Sequence, residues 1–365
     1  MPREHSEAPR PLGYVQAVPD PTPAPAVRWA RRDLLRVGLA LPVLAGCSAS
    51  PAVAPLPGTS PGSASGAATP PAPASASPAP APRVPPAAVA EQALSARAAA
   101  ILAGPHRTDL GTGTRRLLTF LRDAHADHAV ALAGDDPTTR PTTAAPSPTA
   151  ARPDLGRQSL AASLDHLARQ ESTQAATQRR AAVAATGLEA LLTGSLAVAA
   201  ETYAAALGAK DPPGVSGPKR RRAAPLLTDV AAAQQLVEQL HAVVYGYQLA
   251  VGRLRYTSAA RRRAVGELAA TRRLLDTQIA FLLSRRADVP AAEPAYVPDP
   301  PTRSAGDATR LVRAMQSRLE PFVGLTLAAA GSTASRTAAL TLLRSTSRTA
   351  RTWGAPLQTW PGWPD

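Results

Sequence analysis

The chain has 365 residues, a formal net charge of +14 and an aromatic content of only 4%. This length allows one large domain or two smaller ones. The low aromatic content argues against a β-sandwich, because strands favour aromatic and β-branched residues. The abundance of alanine, leucine and valine is typical of packed helices, and we predict an all-α fold.

Residues 1–47 are predicted to be an export signal. The pair Arg31 and Arg32 precedes an apolar stretch, residues 37–45, that is too short to span a bilayer. This stretch ends in Leu44-Ala45-Gly46-Cys47, where small residues precede a cysteine as in a lipobox. The pattern predicts twin-arginine export and lipidation of Cys47, which would anchor the protein at the outer face of the cytoplasmic membrane.

Cys47 is also the only cysteine in the chain. The rest of the protein therefore has no thiol for a disulfide, a thiolate metal site or a catalytic nucleophile. Residues 48–87 consist almost entirely of alanine, proline, serine and glycine. Such a composition predicts a disordered tether between the anchor and the folded part.

The segment 88–210 is predicted to be helical. Its apolar periodicity indicates helices over residues 88–102, 115–132 and 155–207, the last broken near Gly187 or Gly194. A second linker over residues 211–225 follows, and its basic run Lys219-Arg220-Arg221-Arg222 is predicted to be solvated.

The segment 226–365 has the clearest periodicity and predicts four helices. The first carries an a/d seam, and the second, over residues 259–285, repeats the pattern. The seam residues are Leu226, Val230, Ala233, Val237, Leu240, Val244, Tyr247, Val251 and Leu254, then Val265, Leu268, Leu275, Ile279 and Leu282.

Residues 290–301 are predicted to be extended. Helices over 307–330, kinked at Pro321, and 332–350 follow, with Gly331 as the cap between them. The tryptophans Trp353, Trp360 and Trp363 are predicted to fold over the end of the bundle.

From Leu226 onwards the chain resembles a ferritin-like domain family of unknown function that is common in exported actinobacterial proteins. The resemblance is carried by Glu238-Gln-Leu-His241-Ala-Val-Val-Tyr245-Gly246-Tyr247, by Tyr296-Val-Pro298 and by the closing Trp353-Gly354 and Trp360-Pro361-Gly362. It implies a four-helix bundle with an additional N-terminal helical segment. A ferritin-like fold also raises the prospect of a carboxylate-bridged di-metal centre.

The four C-terminal helices do not contain the residues that such a centre needs. Glu238 and His241 form a Glu-x-x-His pair, but the heptad places them beside the seam rather than in it. The last helix, over residues 332–350, contains no carboxylate. A metal at Glu238 and His241 is therefore an alternative rather than our first expectation.

His125 and His128 are the second candidate metal ligands. At a spacing of three residues they share one face of a helix and could supply half of a zinc or copper site. His166 or Glu171 could provide further ligands. An amphipathic helix with two exposed or partly satisfied histidines explains the same pattern, and this is the interpretation that the sequence favours.

These observations predict a lipid-anchored envelope protein and favour a non-catalytic role over an enzymatic one, since no nucleophile elbow, phosphate loop or metalloprotease helix is present. The first hypothesis is a binding or structural module without a cofactor. The alternative is a metal-binding or redox protein with a reduced site. The basic charge suggests anionic lipid or an acidic wall polymer as the partner, and export argues against nucleic acid.

Overall fold

A computed structural model describes residues 85–134, 158–217, 221 and 223–364. The predicted export signal with Arg31, Arg32 and Leu44-Ala45-Gly46-Cys47, and nearly all of the predicted tether, lie outside these residues. The described residues are helical and contain no strand, as the composition predicts. Their helices are α1 (Pro86–Ala103), α2 (Thr112–Ala133), α3 (Leu160–Ala184), α4 (Gly187–Leu207), α5 (Asp229–Arg253), α6 (Ala259–Ser284), α7 (Ala305–Ala329) and α8 (Thr333–Thr352).

Helix starts follow local capping chemistry. The side chains of Ser159, Thr228, Ser258, Ser304 and Ser332 accept hydrogen bonds from the first turns of α3, α5, α6, α7 and α8. These bonds satisfy backbone donors that have no partner within the helix. The predicted helices therefore begin within a few residues of the observed ones.

The predicted break near Gly187 is confirmed, because the chain breaks at Ala185 and Thr186 and Gly187 has a φ of 59°. The alternative position, Gly194, lies inside α4. Two other local predictions need correction. Ala330 caps α7 in place of Gly331. The seam does not begin at Leu226, which is 73% exposed and precedes the first residue of α5.

The a/d positions predicted for α5 form a narrower stripe than the face of the helix that is buried in the structure. Ala232, Leu236, Val243 and Ala250 are buried beside the predicted Ala233, Val237, Leu240 and Tyr247. The extra positions reflect packing against both α6 and α7, which a two-helix seam does not anticipate. In α6, Leu275 and Leu282 are buried as predicted, but Val265 is 44% exposed because α6 packs only on α5 among the described helices.

Helix α4 lies at the centre of the packing. It contacts α2, α3, α7 and α8, and every residue from Ala190 to Ala200 is buried. Ala182 of α3 and Val198 of α4 pack in the same apolar cluster as Leu240 of α5. The N-terminal and C-terminal helical segments therefore share a core. Among the described helices only α4 is long and apolar enough to cross a membrane, and its burial in this core accounts for that composition.

The C-terminal tail crosses from α8 to the N-terminal helices. Trp353, Trp360 and Trp363 are buried, and Leu357 pairs with Val215 through two backbone hydrogen bonds at 2.8 Å. The first bond runs from the Leu357 N–H to Gly214, and the second from the Ser216 N–H to Leu357. The tail thus closes over α2 and α4 rather than over the end of the C-terminal helices alone.

Gly324 tests how closely this tail is packed. A Cβ at Gly324 would overlap the backbone carbonyl of Gly362 and crowd Leu191. Gly324→Ala should lower the free energy of unfolding by about 1–3 kcal/mol, because the obstacle is backbone that cannot rotate away. Urea unfolding followed by tryptophan fluorescence measures the change. Gly266→Ala in α6 meets no atom and should stabilise the protein by up to about 1 kcal/mol. Equal effects would contradict close packing of the tail.

Candidate metal centre

Four ionisable side chains meet in the interior of the N-terminal helices. Glu91 lies on α1, His125 and His128 on α2, and Glu171 on α3, and none is more than 1% exposed. The contacts of α2 with α1 and of α1 with α3 bring these residues together. Buried ionisable groups are costly unless they are paired or bind a cation, so their arrangement requires an explanation.

Both histidines direct one ring nitrogen at the same carboxylate oxygen. Glu91 Oε2 lies 2.7 Å from His125 Nδ1 and 3.2 Å from His128 Nδ1. The other ring nitrogens have separate partners. His125 Nε2 lies 2.6 Å from Glu171 Oε1, and His128 Nε2 lies 2.9 Å from the backbone carbonyl oxygen of Thr359.

These outer partners determine which ring nitrogens carry protons. The Thr359 carbonyl can only accept a hydrogen bond, so His128 must donate from Nε2. An ionised Glu171 is likewise only an acceptor, so His125 must also donate from Nε2. In their neutral forms both histidines then present an Nδ1 lone pair to Glu91 Oε2. Three electron-rich atoms converging in a buried space need a positive charge between them, which either extra protons or a metal ion can provide.

Further residues hold the cluster in place. Gln174 Nε2 donates to Glu91 Oε1 at 3.0 Å, which fixes the carboxylate plane. The Tyr203 ring of α4 stacks parallel to His128 at 6.3 Å, and its hydroxyl donates to the Gln358 carbonyl at 2.8 Å. The Trp360 ring lies 4.6 Å from the His128 ring. The tail therefore covers the cluster from the side of α2.

The electrostatics of the cluster favour charge pairing in the metal-free protein. Burial alone would lower the pKa of His125, but the charges and hydrogen bonds of Glu171 and Glu91 raise it to about 10. Burial would raise the pKa of Glu91, yet the hydrogen bonds and charges of both histidines bring it well below its ordinary value. For Glu171, burial outweighs the opposing effect of His125 and raises the pKa.

The donor set suits a divalent transition metal. One ligand atom each from Glu91, His125 and His128 lies within 4.8 Å of the others. Bonds of about 2.0–2.1 Å to a tetrahedral ion place ligand atoms about 3.3 Å apart. The 3.2 Å between Glu91 Oε2 and His128 Nδ1 matches this spacing, whereas His125 Nδ1, at 2.7 Å, would have to move outward to admit the ion. Glu171 and the Thr359 carbonyl occupy the positions of the outer groups that accept the second N–H of metal-bound histidines. Glu171 Oε2 is buried and has no hydrogen-bond partner among the described residues.

The structure corrects the interpretation of His125 and His128 that the sequence favours. Neither is exposed, and they form the centre of the cluster, because α2 directs this face at α1, α3 and the tail rather than at solvent. Of the two further ligands considered, Glu171 contacts His125, whereas His166 makes no hydrogen bond to the cluster.

The other candidate pair does not form a site. Glu238 is exposed, and His241 is half-buried with Nε2 lying 3.2 Å from the Pro290 carbonyl oxygen. No other described carboxylate or histidine gathers with them into a group able to hold a metal ion. This outward placement is the one that the heptad predicts.

Sequence reasoning missed Glu91, Gln174, Tyr203 and Thr359. A signal for Glu91 was present, because it interrupts the buried stripe of Ala88, Leu94, Ala98 and Ile101 on α1. Glu171 and Gln174 likewise interrupt the buried stripe of α3, which includes Leu167, Ala175 and Ala182. A carboxylate at a core position of a helix is rarely tolerated without a partner. Thr359 acts through its backbone and gives no such signal.

Comparison with known proteins locates a family match in the C-terminal half. Residues 232–365 match the model of a family described as Domain of unknown function (DUF4439). No curated protein and no solved structure matches the chain significantly. The family match covers α6–α8, most of α5 and the tail, including Thr359. It does not include Glu91, His125, His128 or Glu171.

The pKa values predict how the stability of the metal-free protein depends on pH. The raised pKa of His125 stabilises the fold fully below about pH 6.5, and this contribution is lost as the pH rises through about 10. The lowered pKa of Glu91 stabilises the fold above about pH 4.5, and this contribution is lost as the pH falls. The raised pKa of Glu171 removes stability as the pH rises above about 4.5. The free energy of unfolding, measured with urea and a chelator, should therefore be highest near about pH 4.5 and should fall on both sides.

Glu171→Gln tests the source of this dependence. Without the Glu171 charge the pKa of His125 should fall, so the loss of stability that His125 contributes should occur at a lower pH than in the wild type. The loss above about pH 4.5 that comes from Glu171 itself should disappear. Glu238→Gln removes an exposed carboxylate and is the matched control, for which we expect the wild-type profile. Superimposable profiles for all three proteins would contradict a charged His125.

Proposed function

We propose that the protein binds one divalent transition-metal ion through Glu91, His125 and His128. The observation that supports this most directly is the convergence of two Nδ1 atoms and Glu91 Oε2, with both Nε2 atoms engaged by outer acceptors. Two imidazoles and a carboxylate suit zinc, iron, copper, nickel or manganese. A bound ion would supply the positive charge that these three atoms require.

The burial of the cluster bears on the role of such an ion. Catalytic zinc sites keep one coordination position open to water or substrate, whereas structural sites are closed. Here α1–α4 and the tail enclose the ligands. The enclosure favours a structural or electron-transfer role over hydrolysis, in agreement with the absence of a catalytic motif from the sequence.

The cellular setting is part of the same proposal. Arg31, Arg32 and Leu44-Ala45-Gly46-Cys47 support export and lipidation, with the folded part held by the tether outside the cytoplasmic membrane. We also propose a ferritin-like arrangement for α5–α8, on the sequence resemblance described above. The proposed metal site does not depend on that arrangement, because its ligands come from α1–α3.

Metal analysis of the purified full chain tests the proposed site. After reconstitution with zinc, iron, manganese or copper in turn, at least one metal should bind at one ion per chain. Glu91→Gln and His128→Ala should lower the affinity at least about tenfold, because outer ligands alone have effects of this size. Quenching of Trp360 fluorescence by copper or cobalt provides a second readout, since its ring lies 4.6 Å from His128.

The double variant with Glu238→Ala and His241→Ala is the matched control and should retain full occupancy. Circular dichroism establishes that each variant is folded. The proposal would be contradicted if the protein bound no metal under any of these conditions, or if the control variant lost as much metal as Glu91→Gln and His128→Ala. The cluster would then be a buried ion-pair network and the chain a binding module without a cofactor.

Cys47→Ala tests the anchor separately. In a host with lipoprotein processing, the wild type should stay with membranes that have been washed in high salt, which removes protein held by charge, and the variant should be released. Acyl chains add about 0.8 kcal/mol per buried methylene, so removing them should shift most of the protein. Immunoblots of the two fractions measure this. A variant that stays with the membrane would point to an uncleaved N-terminal anchor instead.

A further inference from the structure

Helix α6 and the turn before it carry an unusual concentration of positive charge. Residues 253–286 contain nine arginines and only two acidic residues, Glu267 and Asp276. Glu267 faces inward, where Oε2 accepts hydrogen bonds from Tyr247 and Trp353 at 2.8 and 2.7 Å. It contributes little negative charge to the outer surface, which leaves Asp276 as the acidic group of the solvent face.

Several of these arginines are not used by the fold. Arg285 pairs with Asp229, Arg261 lies over Tyr256, and Arg263 lies over Trp353. Arg262 donates a hydrogen bond to the backbone carbonyl of Thr257 just before its own helix. Within the described part of the chain, five others make no hydrogen bond, ion pair or ring contact. They are Arg253, Arg255, Arg272, Arg273 and Arg286.

The same surface exposes large apolar side chains. Tyr256 is 80%, Leu283 62% and Val265 44% exposed. Viewed down the axis of a regular helix, Val265, Arg272 and Leu283 project within about 20° of the same direction. Arg262 and Arg273 project about 60–80° around the axis from Val265. The line from Val265 to Leu283 is about 27 Å long. Because α6 packs only on α5, no other helix in the described part of the chain covers this face.

We propose that the outer face of α6, with Arg255, Arg262, Arg272, Arg273, Val265 and Leu283, docks on an anionic phospholipid surface. Arginines attract acidic head groups, and each contributes about 1 kcal/mol near such a surface. Apolar side chains among them gain free energy only if an apolar phase lies below the head groups. This combination favours lipid over a soluble wall polymer, which has phosphate but no hydrocarbon. The proposal does not depend on the metal site.

Vesicle co-sedimentation tests the proposal with the full chain carrying Cys47→Ala, so that no acyl chain contributes. The protein should bind vesicles of equal parts phosphatidylglycerol and phosphatidylcholine and should not bind pure phosphatidylcholine. Combined replacement of Arg255, Arg262, Arg272 and Arg273 by Gln should lower the partition coefficient at least about tenfold. Combined replacement of Arg107, Arg169, Arg180 and Arg348 by Gln removes the same charge from exposed positions elsewhere and should change it less than about twofold.

A second variant separates lipid from polymer. Val265→Ser with Leu283→Ser should weaken vesicle binding about fivefold and leave binding to soluble polyphosphate unchanged. The proposal is overturned by a wild type that does not bind the anionic vesicles or binds both kinds equally. It is also overturned if the two arginine variants lose binding equally, or if the serine variant binds vesicles like the wild type.

Discussion

Glu91 Oε2 is the atom on which the N-terminal helices depend. Two imidazole nitrogens approach it at 2.7 and 3.2 Å in a space that solvent does not reach. Three such atoms repel one another unless a positive charge lies between them, and burial magnifies that repulsion. A proton shared with His125 or a bound metal ion meets the requirement. Either one fixes the spacing of α1, α2 and α3.

The same requirement connects the two halves of the chain. His128 Nε2 donates to the backbone carbonyl of Thr359, a residue of the tail that follows α8. Tyr203 and Leu357 reinforce the attachment through Gln358 and Val215. Glu91 is thus connected to Thr359 of the tail by two contacts, both made by His128. The segment that matches the family of unknown function supplies the cover for a cluster whose ionisable groups lie outside it.

The charged side chains on the surface of α6 are arranged differently from those of the buried cluster. The cluster uses its charges in close, fully buried pairs, whereas most arginines of α6 are exposed to solvent. An outer helix that packs on a single neighbour can carry such charge without weakening the core. The two features therefore have independent physical causes, and a change in one need not alter the other.

The sequence by itself determined the helical class, most helix boundaries and the outward placement of Glu238 and His241, because caps and apolar periodicity act within one helix. It also identified His125 and His128 as candidate ligands. Only the tertiary structure decided that they are buried, since helix periodicity describes one face and not what packs against it. The partners Glu91 and Glu171 lie 34 and 46 residues from His125, and Thr359 lies 231 residues from His128. No local sequence pattern specifies contacts at such separations. Thr359 takes part through its backbone carbonyl, which every residue type has, so its identity in the sequence gives no signal.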